Sequence, residues 1–363
     1  MKIVISGVNL VEGGTLTVFK DVISAFSIDK KIEVTCLVND KSLFSNIKGV
    51  HFISFPGIKN SWVKRCWFEY VSCKKIAESI KPDLWLAMHD MTPNVGTCPQ
   101  YVYCHNPSPF LPVSFKLFWY EPKVFLFSIF YKWLYRINIK KNIAVIAQQE
   151  WFGHYLTDVL GAKQAIIARP VSFSPRSIKK LDSSPRRETI VLFYPALART
   201  FKNFELLLNC FAYLKKEYRN VYNSFELQLT IDENENKFAS TLVNRYRELE
   251  NVKFLGRLNF EEVNQRYENC DIVVFPSKLE TWGLPISEAK LAAKPIILSD
   301  LPYAHETLGD YHSALFVDPD DYITLANAIV DLFHEKNIFH SVKFQSSLDV
   351  IDSWPSLVSA MVK

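Results

Sequence analysis

The stretch CDIVVFPSKLETWGLPISEAKLAAKPIILSD, residues 270–300, organises this chain. Its apolar run from Ile272 to Phe275 is rich in β-branched residues, which predicts a strand buried on both faces. Pro285 predicts the start of a helix, because a proline at the first helical position loses no hydrogen bond. The helix stops near Pro295, and a second apolar strand follows from Ile296 to Leu298. Strand, loop, helix and strand in this order form the unit of a parallel α/β sheet.

Two acidic residues lie around the predicted helix start. Glu280 is in the loop after the first strand, at the sheet edge where ligands of parallel sheets bind. Glu288 follows one turn into the helix. Acidic residues also serve as helix caps, since the macrodipole favours negative charge at the N-terminus. The two glutamates alone therefore leave capping and ligand binding open.

The longer string around the glutamates resembles the signature of the family-four retaining glycosyltransferases, E-x-F-G-L-P-x-x-E-A-M-A-x-G-x-P. Both glutamates match, as do the Gly-Leu-Pro of 283–285 and Ala289. Trp282 takes the Phe position, whereas Lys290 and Lys294 replace the Met and the second Gly. The resemblance implies the GT-B fold, an α/β architecture of two Rossmann-like domains with parallel sheets and an interdomain cleft.

Composition sets the size and the class of the protein. With 363 residues, 48% of them hydrophobic, the chain suits two globular domains. The net charge of +4 is mild and the basic residues are spread out, which argues against a nucleic-acid partner. Seven cysteines without metal-site spacing are expected to be reduced thiols of a cytosolic protein. The opening MKIVISGVNL predicts a strand rather than a signal peptide, and we expect no transmembrane helix.

We expect four segments along the chain. Residues 1–172 form an acceptor-side Rossmann-like domain. Residues 173–188, rich in Ser, Pro and basic side chains, form a linker. Residues 189–345 form the Rossmann-like domain that binds the nucleotide sugar. In the fold that the resemblance implies, the helix in 346–363 packs back on the first domain.

A glycine pair, Gly13 and Gly14, precedes a helix predicted from Thr15 to Ala25. Such a pair lets backbone N–H groups approach a phosphate or sugar, although an ordinary tight turn is the more common explanation of a glycine pair in isolation. The pair resembles the amino-terminal glycine loop of the family, which implies a donor contact. It lacks the G-x-G-x-x-G spacing of a dinucleotide-binding protein, and this argues against an oxidoreductase.

His105 and Asn106 follow a predicted buried strand, Tyr101 to Cys104. This is the carboxyl end of a strand, where ligands bind, although a histidine bonded to a loop carbonyl is the structural alternative. The string His-Asn-Pro-x-Pro-Phe resembles a variant found among polysaccharide-building members of the family. The resemblance implies that His105 is catalytic and faces the acceptor and the sugar, with Asn106 on the acceptor side.

Further donor contacts are implied in the second half of the chain. Lys202 and Asn203 match the family's Lys-Asn pair at a helix start, which implies a phosphate contact. The family's Arg five residues before that Lys is Leu197 here, and Arg199 in the same loop is the candidate replacement. The resemblance extends the donor site to the loop and signature residues Gly256, Arg257, Leu258, Trp282, Gly283 and Leu284.

These matches imply a retaining transferase that moves a sugar from a nucleotide-diphosphate sugar to a glycan acceptor. Glu280 contacts the sugar, Glu288 holds the ribose, and Lys202 with backbone amides stabilises the leaving phosphate. No metal or other cofactor is implied, and the acids of 318–321 are explained as a helix N-cap. Two alternatives stay open: a non-catalytic nucleotide-sugar-binding protein of this fold, and a phosphorylase, whose cofactor lysine is not evident.

The segment Ser114 to Lys141 mixes aromatic and basic residues and has few acids. Amphipathic helices of this kind lie on anionic membranes, although a buried helix with exposed lysines fits the same pattern. A smaller patch of the same kind comprises Trp62, Lys64, Arg65, Trp67 and Phe68. A lipid-linked glycan acceptor, as in O-antigen or capsule-type polysaccharide synthesis, would give both patches a use. We therefore expect a cytoplasmic protein that contacts the inner face of the cell membrane.

Overall fold

The computed structural model describes residues 1–111, 113–169 and 189–362. The linker expected at 173–188 lies outside these residues. As far as their residues are described, two compact units divide the chain. The first comprises Met1–Pro109, Ile129–Phe173 and Ser346–Lys363, and the second comprises Phe110–Ser128 and Ser174–Gln345. Phe110–Ser128 thus group with the second unit, although the sequence placed them within the first domain.

The strands alternate with helices through most of the described chain. In chain order the strands are Lys2–Ser6 (β1), Glu33–Val38 (β2), Val50–Ser54 (β3), Leu84–Ala87 (β4), Gln100–Cys104 (β5), Val145–Ala147 (β6), Ala165–Ala168 (β7), Ile190–Tyr194 (β8), Phe225–Leu229 (β9), Val252–Phe254 (β10), Ile272–Phe275 (β11), Ile296–Ser299 (β12), Tyr311–Val317 (β13), His340–Val342 (β14) and Val350–Ile351 (β15).

The α-helices are Gly13–Ser27 (α1), Trp62–Trp67 (α2), Cys73–Ile80 (α3), Phe115–Tyr120 (α4), Pro122–Arg136 (α5), Glu150–His154 (α6), Phe204–Glu217 (α7), Arg219–Asn223 (α8), Lys237–Tyr246 (α9), Phe260–Asn269 (α10), Leu284–Leu291 (α11), Pro302–Leu308 (α12), Tyr322–Phe333 (α13) and Trp354–Val362 (α14). A π-helical turn, Phe68–Ser72, joins α2 to α3. Within the described ranges, no helix has the length and apolar character needed to cross a membrane.

Each unit is built on its own sheet. The first sheet has the order β15-β7-β6-β5-β4-β1-β2-β3, with all its pairings parallel. The second has the order β10-β9-β8-β11-β12-β13-β14, and only β14 runs antiparallel to its neighbour. Because parallel strands end at one edge, the loops after β4 and β5 lie at one edge of the first sheet. The loops after β8 and β11 do the same in the second.

The end of the chain completes the first unit. β15 pairs with β7, and α14 buries Trp354, Leu357 and Met361 in the core that Phe19 and Phe26 of α1 also fill. The sequence predicts one helix from Leu348 to Val362, whereas the structure begins the helix at Trp354. The residues just before it form β15, because their backbone groups pair with β7.

The acids of 318–321 act as the N-cap that the sequence predicts. The Asp321 carboxylate accepts hydrogen bonds from the backbone N–H groups of Ile323 at 2.9 Å and Thr324 at 3.0 Å, at the start of α13. Asp320 forms an ion pair with Lys278. The capping interpretation is therefore confirmed for Asp321.

The aromatic and basic surface differs in part from the sequence interpretation. Trp62, Lys64 and Trp67 of α2 are exposed, but Arg65 and Phe68 are buried. The expectation that these two residues contribute to a surface patch is wrong, because Arg65 turns inward to a buried carboxylate and Phe68 packs in the core. In the segment 114–141, exposed aromatic side chains alternate with buried ones.

Candidate active site

The loop from β11 to α11 takes its shape from Gly283. This residue has φ +81°, a left-handed conformation that side chains disfavour. A Cβ added there would lie 3.2 Å from Ile286 Cδ1 and 3.3 Å from Phe275 Cε1. Pro285 follows in the first turn of α11, where no side chain caps the helix. The Ile286 N–H donates to the Gly283 carbonyl at 2.9 Å, and a helix start of this kind, without a side-chain cap, favours negative charge.

Lys202 and Glu280 meet although 78 residues separate them. Lys202 ends the short helical turn after β8, Glu280 lies in the loop after β11, and their side chains form an ion pair. The lysine is 15% exposed and the glutamate 14%, so water reaches both. The Lys202 ammonium also lies over the Phe275 ring, 5.4 Å from its centroid. The sequence prediction that both residues belong to one site agrees with this contact.

Two buried tyrosine hydroxyls hold the backbone of the loops that carry the ion pair. Tyr194 donates its hydroxyl to the Lys202 carbonyl at 2.8 Å, and Tyr303 donates to the Ser277 carbonyl at 2.6 Å. Burial and then the charge of Glu280 hold the pKa of both tyrosines well above its usual range. The two hydroxyls therefore stay protonated and fix the loops on either side of the pair.

Glu288 and Trp282 are each held by a neighbouring side chain. The Tyr267 hydroxyl donates to Glu288 Oε2 at 2.9 Å. The Trp282 indole N–H donates to Ser287 Oγ at 3.2 Å, and the Trp282 carbonyl accepts from the hydroxyl of Thr307. These contacts orient the carboxylate and the indole beside the start of α11.

Arg199 makes a contact that the sequence does not indicate. Its guanidinium donates to Glu121 Oε1 at 3.0 Å. The other oxygen of Glu121 accepts from the Thr200 backbone N–H at 2.8 Å and from the Thr200 hydroxyl at 2.6 Å. Leu197, at the family's Arg position, is largely exposed. The structure therefore places Arg199 against Glu121 in this loop.

Two other predicted donor contacts have structural roles in their own loops. The Asn203 side chain donates to the Pro319 carbonyl at 2.7 Å, and its backbone adopts φ +56° at the start of α7. Gly256 has φ +70°, and an added Cβ would approach Asp232 Oδ2 to 3.0 Å. Arg257 is exposed and Leu258 is half-buried in the loop that follows.

In the first unit, His105 lies beside a buried carboxylate, Asp90. Asp90 Oδ1 accepts from the backbone N–H groups of His105 at 2.7 Å and Asn106 at 3.1 Å, and from the Tyr135 hydroxyl at 2.9 Å. The Tyr131 hydroxyl donates to Oδ2 at 3.4 Å. His105 Nδ1 lies 3.9 Å from Oδ1. Asp90 thus fixes the backbone that carries both predicted acceptor-side residues.

A second buried polar cluster adjoins Asp90 in sequence. Arg65 Nε donates to Glu69 Oε1 at 2.8 Å, and His89 Nε2 lies 3.2 Å from the same oxygen. Burial raises the pKa of Glu69 to about 7, against the opposing charge of Arg65. Burial and then Arg65 hold the pKa of His89 well below its usual range. Glu69 lies in the π-helical turn, a feature often found near functional sites.

The glycine pair and Gly7 occupy the region after β1. Gly13 and Gly14 are the first two residues of α1. At Gly7, an added Cβ would lie 2.5 Å from the Phe19 ring, so only glycine lets this helix pack against the end of the strand. The sequence interpretation noticed the pair but not Gly7.

Sequence reasoning missed Asp90 and Glu121, although each carried a signal. His89 and Asp90 come after the carboxyl end of the buried strand β4, with only Met88 between, so the rule that singled out His105 after β5 also applied to them. Glu121 is the one acid among 28 residues from Ser114 to Lys141, which contain six basic residues. A lone acid in such a segment indicates a specific partner.

Solved structures identify the class of fold. A sucrose-phosphate synthase from Thermosynechococcus elongatus superimposes with a TM-score of 0.63 at 15% identity, covering 92% of this chain and 90% of that chain. Anabaena HepE in complex with UDP gives 0.63 at 17% identity, covering 93% and 92%. Two α/β units with parallel sheets and this likeness define the GT-B fold of glycosyltransferases, and the predicted fold class is confirmed.

The sequence comparison then gives the family. Residues 175–345 match the family described as Glycosyl transferases group 1, and this part of the chain belongs to it. The O-antigen chain mannosyltransferase RfbU of Salmonella typhimurium is 26% identical over 237 residues. That match covers 64% of this chain and 60% of the relative.

Proposed function

We propose that this protein is a retaining, metal-independent glycosyltransferase that moves a sugar from a nucleotide-diphosphate sugar to a growing glycan. The observation that carries the proposal is the Lys202–Glu280 pair, beside a helix start whose N–H groups lack a side-chain cap. A cation and oriented amides at one sheet edge are suited to a diphosphate. Among the relatives, one is named for O-antigen synthesis and one contains UDP, which supports this substrate class.

In the proposed reaction, the bond between the anomeric carbon and the diphosphate oxygen breaks while an acceptor hydroxyl oxygen bonds to that carbon on the same face. The acceptor proton passes to the leaving phosphate. Lys202 and the amides at the start of α11 stabilise the negative charge that develops there. Because these groups supply the positive charge, the proposed mechanism does not require a metal ion.

The ion pair changes partners when the donor binds. A diphosphate competes for the Lys202 ammonium, and Glu280 is then released to accept hydrogen bonds from sugar hydroxyls. Glu288, held by Tyr267, binds the ribose hydroxyls. Trp282, Gly283 and Leu284 contribute the backbone that meets the phosphates. Neither glutamate is assigned as a nucleophile.

The first unit is assigned to the acceptor. We assign His105 as the catalytic residue of this unit and Asn106 as its neighbour on the acceptor side, both on the backbone that Asp90 fixes. Gly13 and Gly14 at the start of α1 leave their backbone open to a sugar or phosphate.

Peripheral contact with the cytoplasmic face of an anionic membrane belongs to the same proposal, because it gives access to a lipid-linked acceptor. Its support is a set of exposed aromatic and apolar side chains on α2, α4 and α5, beside basic residues. Those exposed residues are Trp62, Trp67, Phe115, Phe118, Trp119, Leu126, Phe130 and Trp133.

A thermal-shift screen against UDP, GDP, ADP and their sugars tests the donor assignment, because a ligand of the folded state raises the melting temperature. We expect one nucleotide series to stabilise the protein, and the Lys202→Ala variant to lose most of that shift. No shift with any nucleotide would contradict the proposal.

The reaction itself is tested by mixing the stabilising nucleotide sugar with lipid-linked glycan and identifying the products by NMR. Transfer with retained anomeric configuration supports the proposal. Binding without transfer would make the protein a nucleotide-sugar-binding protein, and release of a sugar phosphate would make it a phosphorylase.

A further inference from the structure

The segment Phe110–Ser128 joins an exposed aromatic surface to the loop that carries Lys202. On α4, Phe115 is 77% exposed and Trp119 is 53% exposed. The two rings stack with centroids 6.2 Å apart, and Phe118 packs edge-on against Phe125 at 5.2 Å. We call the exposed side chains Phe115, Phe118 and Trp119 the aromatic face of α4. A cluster of exposed aromatic rings is typical of an interaction surface.

The opposite side of α4 is fixed to the second unit. Leu117 is buried, and the Tyr120 ring meets Phe238 of α9 at 5.4 Å. Lys116 forms an ion pair with Glu205 of α7. These contacts hold α4 against α7 and α9, so a ligand that restrains the exposed face of α4 also restrains its attachment to the second unit.

Charge identifies the occupant of the aromatic face as an anionic lipid surface. Six basic residues and one acid occur in 114–141, and that acid, Glu121, has a side chain only 7% exposed. Its negative charge is directed inward to Arg199 and Thr200. Within the second unit, Lys123 is exposed, and the exposed Lys237 ammonium lies 3.8 Å from the centroid of the Trp119 ring. Positive charge beside aromatic rings is the combination that suits an anionic bilayer interface.

Glu121 connects this face to the donor loop. It ends α4, and its carboxylate takes both donors of Thr200, the first residue of the turn Thr200–Lys202. The Lys202 backbone N–H donates to the Arg199 carbonyl at 3.0 Å, which closes the same turn. A carboxylate with three charge-assisted or short hydrogen bonds is a strong tether.

We propose that Glu121 is a positioning residue that couples lipid contact at the aromatic face of α4 to the order of the Lys202 loop. Anionic lipid restrains α4, and because Glu121 at the end of α4 is hydrogen-bonded to Thr200, the turn Thr200–Lys202 opens less often. The proposal rests on the membrane contact proposed above, but it does not depend on which nucleotide binds. Coupling of this kind is measured as a change in local opening.

Hydrogen exchange of the amides of 199–203 tests the coupling. Wild-type protein is compared with and without vesicles of phosphatidylglycerol and phosphatidylcholine, and with phosphatidylcholine vesicles alone. We expect anionic vesicles to slow exchange in this loop about fivefold, the change that one tether hydrogen bond supports. Exchange unchanged by bound anionic vesicles would overturn the proposal.

Variants separate tethering from lipid binding. Glu121→Ala is expected to sediment with anionic vesicles like wild type but to lose the slowing at 199–203. Thr200→Val removes the hydroxyl that donates to Glu121 and is expected to lose part of the slowing of exchange at 199–203. This second variant keeps the test available if Glu121→Ala does not fold. Glu250→Ala is the matched control, because Glu250 forms an ion pair with Lys215 rather than with a residue of α4 or of the turn Thr200–Lys202.

The lipid surface is tested by Phe115→Ser combined with Trp119→Ser, which is expected to weaken vesicle sedimentation about tenfold or more from the lost apolar burial. Phe260→Ser is the control, since Phe260 is 58% exposed but lies on α10. An equal loss of vesicle sedimentation in the double variant and in Phe260→Ser, or no vesicle binding by wild type, would overturn the surface assignment. A normal nucleotide shift in such a protein would leave the donor proposal intact.

Discussion

The two candidate regions hold their carboxylates in opposite ways. In the second unit, Glu280 is paired with one side-chain cation, Lys202, and water reaches both side chains. In the first unit, Asp90 is buried and is met by two backbone N–H groups and two tyrosine hydroxyls. The first arrangement can exchange partners with an anionic ligand, whereas the second is fixed by the backbone. The comparison indicates that the carboxylate at the proposed donor site can change its partner, whereas the one on the proposed acceptor side is held in place.

Breaking the ion pair should have the largest effect. Lys202→Ala removes the cation that meets the leaving phosphate, and we expect transfer to fall about 10²-fold or more, as when one stabilising donor is lost from an active site. Initial rates measured with the nucleotide sugar found in the screen check this. Lys278→Ala is the matched control, because Lys278 pairs with Asp320 from the same loop as Glu280. Equal rates for Lys202→Ala and wild type would contradict the assignment.

Removing the fixed carboxylate should act on stability. Asp90→Ala leaves the N–H groups of His105 and Asn106 and the Tyr135 hydroxyl without their acceptor, and we expect the first unit to lose about 3 kcal/mol or more. Asp90→Asn keeps an acceptor oxygen and tolerates the φ of +69°, so it should lose less. Calorimetry of both variants measures the difference. Identical melting for the two would show that the carboxylate network does not fix this backbone.

The pH dependence of stability should report on Glu69. Its pKa is raised from 4.5 to about 7 in the folded protein, so the stability its protonated form contributes is complete below pH 4.5 and is lost as pH rises through about 7. Across that window, wild type should lose about 3 kcal/mol relative to Glu69→Gln, which cannot ionise.

The comparison of the two proteins cancels the other titrating group of the cluster. His89 faces the same oxygen, and its lowered pKa makes protonation destabilising as pH falls below the ordinary range. Unfolding by urea at several pH values measures the difference, and parallel curves for wild type and Glu69→Gln would contradict the raised pKa.

The smallest effect separates backbone strain from crowding. Gly283 and Gly57 both have φ +81°, but an added Cβ meets two side chains at Gly283 and open space at Gly57. Alanine at either position should cost about 1–2 kcal/mol from the left-handed backbone. Gly283→Ala should cost more, because Ile286 and Phe275 must shift. Equal changes in melting temperature of the two variants would mean that the loop relaxes without cost.

The sequence predicts the fold better than the contacts within the site. The apolar run from Ile272 to Phe275 predicts β11 with the bounds that the structure has, and the runs at 101–104 and 296–298 predict β5 and β12, each one residue short, because burial on both faces requires a continuous run. The signature string locates the start of α11 and both glutamates. The sequence does not indicate which of these side chains contact each other. Arg199 and Glu121 are 78 positions apart, and so are Lys202 and Glu280.

Spacing along the chain carries no information about such pairs. Arg199 lies in the loop where the sequence predicts a phosphate contact, but only the folded structure shows that its guanidinium is hydrogen-bonded to Glu121. Asp90 is similar, because its role comes from backbone groups of Asn106 and His105 that any residue would supply. The position of Asp90 after β4 therefore indicates a candidate residue, but the sequence does not indicate which groups its carboxylate contacts.

The placement of β15 and α14 has a consequence for the order in which the protein is made. The second unit draws on 110–128 and 174–345, so all of its residues have been synthesised before residues 346–363 are added. The sheet and core of the first unit still lack β15 and Trp354, Leu357 and Met361 at that moment. The first unit therefore completes its sheet and core only after all residues of the second unit have been synthesised, and its unfinished core is exposed to aggregation in the interval.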